Sequence, residues 1–150
     1  DFMKNHNADI VAWVNPISPM QTATEIKQIV KYFLKKDLNS LITVSDQQVH
    51  CLYNEEPVNF DLIGKFEQTQ ELFPVQTMIY SIMMWNKNSF IEAMKSQGYG
   101  ILHGKIGYYS ISKPSSVIVK TSIDIKFVES LMNAISSDID NIEYYKINNN

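Results

Sequence analysis

A five-residue apolar run, Ile10 to Val14, stops at Asn15-Pro16, and a second proline follows at Pro19. Its β-branched content predicts a strand buried on both faces, the kind found in parallel sheets. Proline has no N–H to give a ladder, so Asn15 to Gln21 is predicted as a loop at the strand's carboxyl end. Thr22 and Glu25 then have the spacing of a capping box. Ile26, Ile29, Val30, Phe33 and Leu34 recur on one helical face, with Lys27, Lys31 and Lys35 turned to water. Asp37 to Ser40 ends that helix, and Leu41 to Val44 reads as the next strand. Strand, loop, helix and strand in this order predict a βαβ unit whose two strands pair in parallel. The fold class expected is α/β: a mixed, mostly parallel sheet with flanking helices.

The middle of the chain reads differently. Val49 to Tyr53 and Pro57 to Phe60 flank Asn54-Glu55-Glu56 and predict a hairpin. Gly64 to Pro74 has no clear period and is expected to leave the main sheet. Met78 to Trp85 is a long apolar run, predicted as a central strand, and its methionines read as core rather than as a cofactor box. Asn88 or Ser89 is the predicted cap of a helix carrying Phe90, Ile91 and Met94, with Gly98 as its left-handed terminator. Lys105 to Ile111 and Ser116 to Val119 read as strands interrupted at Pro114. A last helix is predicted from Ser122, with Ile123, Phe127, Val128, Leu131 and Ile135 facing inward. Residues 1–150 are expected to form one domain, with a polar tail over 137–150 that frays.

Composition narrows the function classes. The chain has 150 residues, 45% of them hydrophobic and 19% charged, with a formal net charge of −3. That is a globular composition with no basic footprint for nucleic acid and none for an anionic membrane surface. All 13 cationic side chains are lysines. Arginine's bidentate clamp is therefore missing, and any anion must be met by lysine, backbone amides or hydroxyls. The lone Cys51 fits a reducing compartment. No run approaches the roughly 18 apolar residues of a membrane span. A cytoplasmic location is the expectation.

Self-standing motifs for phosphate loops, dinucleotides, zinc proteases or thiol pairs do not occur. His6, His50 and His103 lie far apart, and a metal or triad site built from them has little support. His50 and Cys51 are neighbours on a predicted strand and would point to opposite faces. The loop Asn15 to Thr22 is the most informative stretch. It lies at a strand's carboxyl end and opens toward a helix N-terminus, where α/β sheets bind ligands and where anions are favoured. Stiffened strand ends also serve simply as turns, and on physics alone the two readings weigh about the same.

Ala8-Asp9-Ile10-Val11 followed by Asn15-Pro16-Ile17-Ser18-Pro19-Met20 resembles the A-D-I-V…Q-P-T-S-P-L stretch of the acylneuraminate cytidylyltransferases and related CMP-sugar synthetases. Ser40 to Val44, Gln68-Thr69-Gln70-Glu71-Leu72-Phe73-Pro74, Gly107-Tyr108-Tyr109 and Ser116 to Asp124 follow in that family's order, so the likeness covers residues 8–135. It implies a Rossmann-like nucleotidyltransferase (nucleotide-diphospho-sugar transferase) fold and a homodimer built through an excursion such as Gly64 to Pro74. It also implies transfer of CMP from CTP to an acid sugar resembling sialic acid, with Mg²⁺ as the family's cofactor. Carried over by position, the substrate- and nucleotide-binding residues are Asn15, Ser18, Gln21, Thr22, Gln70, Tyr80 and Ser81, and Lys120 is the catalytic candidate.

The departures bear on activity. The family's basic, glycine-containing phosphate loop has no counterpart and would lie before Asp1, so this chain is expected to be the later part of a longer enzyme and inactive alone. The family's metal-holding D-x-D pair aligns with Ile118 and Lys120, so no metal ligand is assigned. Gln21 replaces an arginine, and Tyr80-Ser81 stand near the family's Asn-Gly. Lys120 either takes the metal's place against phosphate or is a solvated strand end before a helix cap. The competing function is a non-catalytic module that binds nucleotide or sugar, or only dimerises.

Overall fold

The computed structural model describes residues 2–63 and 66–136. The polar tail at 137–150 and the start of the expected excursion at Gly64 lie outside the described residues. A one-turn helix α1 (Phe2–Asn5) precedes strand β1 (Ile10–Val14), helix α2 (Ala23–Lys36) and strand β2 (Ser40–Gln47). A small hairpin follows, β3 (Leu52–Tyr53) and β4 (Glu56–Pro57), then the long strand β5 (Val75–Asn86) and helix α3 (Lys87–Gln97). Strand β6 (Ile106–Ser110) and helix α4 (Ser122–Ser136) complete the described chain.

The main sheet has the order β1-β5-β2-β6. Strand β5 runs antiparallel to both β1 and β2, and only β2 and β6 pair in parallel. The sheet is therefore mixed, as expected, but mostly antiparallel. The first two strands do run the same way, yet β5 lies between them, so the predicted direct pairing does not form. An apolar run of five cannot reveal which later strand will enter beside it. Nor is β1 buried on both faces. It is an edge strand, with Trp13 48% exposed. The amides of Asn15 and Lys87 bond across to Ser81 and Asp9, so the odd-numbered backbone groups of β1 face β5. By alternation, those of Ile10, Ala12 and Val14 face the open edge.

Helices cover both faces of the sheet. Ile29 and Phe33 of α2 pack with Leu38, Leu41, Ile82, Met84 and Ile111 on one side. On the other, Ile42, Met83 and Trp85 meet Met3, Val11, Phe90 and Leu102. Successive residues of β2 and β5 thus serve opposite layers, as the strand period of two requires. Thr22 caps α2 by accepting the Glu25 amide at 3.2 Å, but Leu34 falls outside the buried stripe and is 57% exposed. Asn86, rather than Asn88 or Ser89, caps α3, and Gly98 ends it at φ 79°.

Two further expectations are corrected. Ser116 to Val119 is not a strand: a 3₁₀ turn occupies Pro114–Ser116 and irregular chain follows. Serine hydroxyls hold this turn locally, Ser112 to Ser115 at 3.0 Å and Ser116 to the Lys113 carbonyl at 2.7 Å, and such bonds compete with a ladder. In α4 the side that turns inward carries Val128 and part-buried Leu131, while Ile123 is 75% exposed and Phe127 and Ile135 are exposed as well.

Candidate functional site

Strands β1, β2 and β6 point the same way; β1 and β6 end close to the middle of β2, which itself runs on beside β5 to Gln47. The loop Asn15 to Gln21 leaves β1 there. Asn15 is fixed at both of its ends: its amide donates to the Ser81 carbonyl at 2.7 Å, and its Oδ1 accepts from the Ile17 amide at 3.3 Å. Two turns follow, closed by Ser18 N–H to Asn15 O and Gln21 N–H to Ser18 O. Proline at positions 16 and 19 presets φ for such turns.

The loop is joined to the segment after β6. Ser18 is buried and its hydroxyl donates to the Ser115 carbonyl at 3.0 Å, while the Ser115 hydroxyl donates to the Met20 carbonyl at 3.3 Å. The Val119 amide bonds the Ile17 carbonyl at 2.8 Å, which brings Lys120 to the loop's border with its side chain exposed. Glu25 ties the two together from α2. Its Oε1 accepts the Ser112 amide at 2.7 Å and its Oε2 accepts the Gln21 side-chain amide. The other end of that amide, Gln21 Oε1, is a buried acceptor with no partner among the described residues. A buried polar atom left in that state is uncommon in folded proteins.

Ser81 belongs to a bulge. Ile42 pairs with Met83 but Thr43 pairs with Ile79, so Tyr80, Ser81 and Ile82 stand out of register. Thr43 fills the gap: its hydroxyl donates to the Ile79 carbonyl at 2.5 Å, accepts the Ile82 amide at 3.2 Å and lies 2.9 Å from the Ser81 hydroxyl. The Ser81 side chain is therefore committed inside the protein, whereas Tyr80 is half exposed. Gln70 stands elsewhere, in a 3₁₀ turn over Thr69–Glu71, where its carbonyl accepts from Gln48. From Ser81 to Val75, where β5 starts on that side, is roughly 20 Å of strand. The structure thus gathers Asn15, Ser18, Gln21, Thr22 and the Lys120 border, places Ser81 beneath them, and leaves Gln70 apart.

At the start of α4, Asp124 Oδ2 accepts from the Lys120 amide at 2.9 Å, the Thr121 amide at 2.7 Å and the Thr121 hydroxyl at 3.0 Å. These bonds, the Lys120 amide first, hold the Asp124 carboxyl below its ordinary value of 3.8. Lys120 follows the apolar Ile118 by two positions, and Asp124 has one of its two oxygens engaged by three donors. Among the described residues no group of three or more His, Cys, Asp or Glu side chains is placed to hold a metal. The donor set here does not fit Mg²⁺, which wants several oxygen ligands in octahedral array.

The three histidines do not converge. His6 meets the Phe2 carbonyl, His50 stacks on Phe66, and buried His103 bonds the Gly100 carbonyl at 2.6 Å and Ser89 Oγ at 2.9 Å. Three residues of the site were not singled out for these roles by the sequence: Glu25 as the tie between loops, Ser115 as the partner of Ser18, and Thr43 under the bulge. The serine-rich turn Ser112 to Ser116 was the available signal for Ser115. No helix of the described residues is long and apolar enough to cross a membrane.

No family model matches the chain, and no curated protein matches it. Among solved structures, the 4-diphosphocytidyl-2C-methyl-D-erythritol synthase from Anaerococcus prevotii is similar to it, with a TM-score of 0.57 and 10% identity. The likeness covers 88% of this chain, and this chain spans 63% of the length of that one. At such identity a likeness speaks to architecture alone. The chain has an α/β fold, a mixed sheet between helices, similar in architecture to that synthase.

Proposed function

We propose that this chain is the later part of a cytidylyltransferase-type enzyme that transfers CMP from CTP to an acid sugar resembling sialic acid. The observation that carries the reading is the loop Asn15 to Thr22, built at the carboxyl end of β1 and joined to the segment after β6 that presents Lys120. It is supported by the likeness in fold to an enzyme whose name describes a diphosphocytidyl product. In the reaction, the sugar's anomeric hydroxyl oxygen forms a bond to the α-phosphorus of CTP. The bond from that phosphorus to the bridging oxygen breaks, the hydroxyl proton passes to solvent, and pyrophosphate leaves.

The chain's own residues contribute binding and charge. The Asn15 side-chain amide and the unpartnered Gln21 Oε1 offer a donor and an acceptor to sugar hydroxyls. Lys120 opposes phosphate charge as a mobile point charge, and Thr22 adds a hydroxyl from the start of α2. Tyr80 contributes a ring from the bulge. Ser18 and Ser81, whose hydroxyls are used internally, set the loop's shape. The reading includes a cytoplasmic homodimer formed through the excursion from Gly64 to Pro74, where Phe73 is 87% exposed and the preceding Ile63 is 94% exposed.

The test is pyrophosphate release from CTP by the natural gene product, with sialic acid and with neutral sugar phosphates. Release that depends on the acid sugar is expected; release with sugar phosphates alone would overturn the substrate assignment. A second reading is a non-catalytic nucleotide-binding or dimerisation module, favoured by the engagement of both nearby carboxylates, Glu25 and Asp124. CTP binding without release under every condition would establish it.

A further inference from the structure

We infer that this site meets nucleotide phosphate without a divalent cation. The inference rests on the reading above and concerns how that same site handles charge. Two carboxylates belong to the helices that frame it, Glu25 in α2 and Asp124 in α4, and both hold backbone amides of this chain. Glu25 uses one oxygen for the Ser112 amide and the other for the Gln21 side chain. Asp124 takes three donors on one oxygen, and its own amide bonds back to the Thr121 hydroxyl at 3.4 Å, a reciprocal cap for α4.

Glu25 carries a donor on each oxygen, and Asp124 has only Oδ1 clear of these bonds, one oxygen where Mg²⁺ wants several. Turning Glu25 away would leave the Ser112 N–H and the Gln21 amide unpaired and would part the loop from the segment that bears Lys120. Turning Asp124 away would strip the first turn of α4 of its cap. The residues between offer no replacement: Ile118 has no donor atom, and the Lys120 ammonium repels a dication. What the border does present is a lysine charge, the Thr22 hydroxyl and the Asn15 amide, all of which complement phosphate oxygens directly. With no arginine in the chain, removing the Lys120 charge leaves no stronger clamp to compensate.

The experiment is calorimetric titration of the natural gene product with CTP, once in Mg²⁺ and once in EDTA, for the wild type and for Lys120→Ala and Lys120→Arg. Affinity in EDTA is expected to equal or exceed that in Mg²⁺. Lys120→Ala is expected to weaken binding in EDTA by roughly tenfold, with Lys120→Arg restoring most of it. A tenfold or greater loss of affinity on removing Mg²⁺ overturns the inference while leaving nucleotide binding intact, and so does an unchanged affinity in Lys120→Ala. Absence of CTP binding in both buffers overturns the nucleotide reading itself, and the inference with it.

Discussion

The Ser18 hydroxyl donates a 3.0 Å hydrogen bond to the Ser115 carbonyl oxygen, joining two loops that lie 97 residues apart in the chain. Both residues are buried, so the carbonyl has no water to turn to if the hydroxyl is removed. Ser18→Ala is expected to lower stability by about 1–3 kcal/mol, the cost of orphaning a buried acceptor. Urea denaturation measures it, and a midpoint equal to the wild type's would show that the two loops are held by other bonds.

Thr43 anchors the bulge of β5 through its hydroxyl. Thr43→Val keeps the shape but abandons the Ile79 carbonyl and the Ser81 hydroxyl. A loss of about 1–3 kcal/mol is expected, whereas Thr43→Ser, which keeps the oxygen, should lose much less. Equal losses in the two variants would assign the effect to packing of the methyl group instead.

Gly104 and Gly98 both have positive φ, but they differ in surroundings. A Cβ on Gly104 would lie 2.4 Å from Asn39 Oδ1, the atom that accepts the Lys105 amide, while a Cβ on Gly98 meets nothing within 4 Å. Gly98→Ala should therefore cost only the backbone strain, about 1 kcal/mol. Gly104→Ala should cost clearly more, because Asn39 has to give up its bond. Thermal unfolding of the pair ranks them.

The depressed pKa of Asp124 has a defined sign. Its carboxylate is favoured in the folded state, so its contribution is present above the ordinary aspartate value of 3.8 and is lost as pH falls through the lower folded value. Wild type and Asp124→Asn should therefore differ in stability near neutral pH and converge in strong acid. A difference that stays constant down to the acid limb would show that the charge is not what matters.

Ile63 and Phe73 carry the proposed dimer contact. Ile63→Asp with Phe73→Asp is expected to convert a dimer to a folded monomer in sedimentation velocity, with unchanged circular dichroism. A wild-type chain that sediments as a monomer at every concentration would remove the excursion as an interface.

The legible parts of this chain are those fixed by near neighbours. Two prolines after an apolar run mark the loop at residue 15 onward, and the 3.6 period of Ile26, Ile29 and Phe33 marks α2, because both signals act within a few residues. The hairpin expected around Asn54-Glu55-Glu56 is of this kind too, although its turn is only Asn54-Glu55, both with positive φ, and Glu56 already pairs with Tyr53. What was not legible depends on partners far along the chain. The sequence around Ile10 cannot state that β5 will enter between it and β2. Glu25 reads as the second half of a capping box, yet its carboxylate goes to Ser112, 87 residues away. The bulge at Tyr80 to Ile82 is a property of pairing with β2 rather than of β5, so no pattern in Met78 to Trp85 announces it. Ile123 and Phe127 fit a helical stripe, but a stripe does not specify what will cover it.

The bulge also makes a joint. Beyond it, β2 and β5 continue together, Thr43 to Gln47 against Val75 to Ile79, with β6 beside them only as far as Val44, and that arm leads to the excursion. On its near side, the Ser81 carbonyl grips the Asn15 amide. The arm is thus tied to the loop from two sides: by Ser81 to Asn15, and by Val44, whose carbonyl accepts the Ile111 amide next to the Ser112 that Glu25 holds.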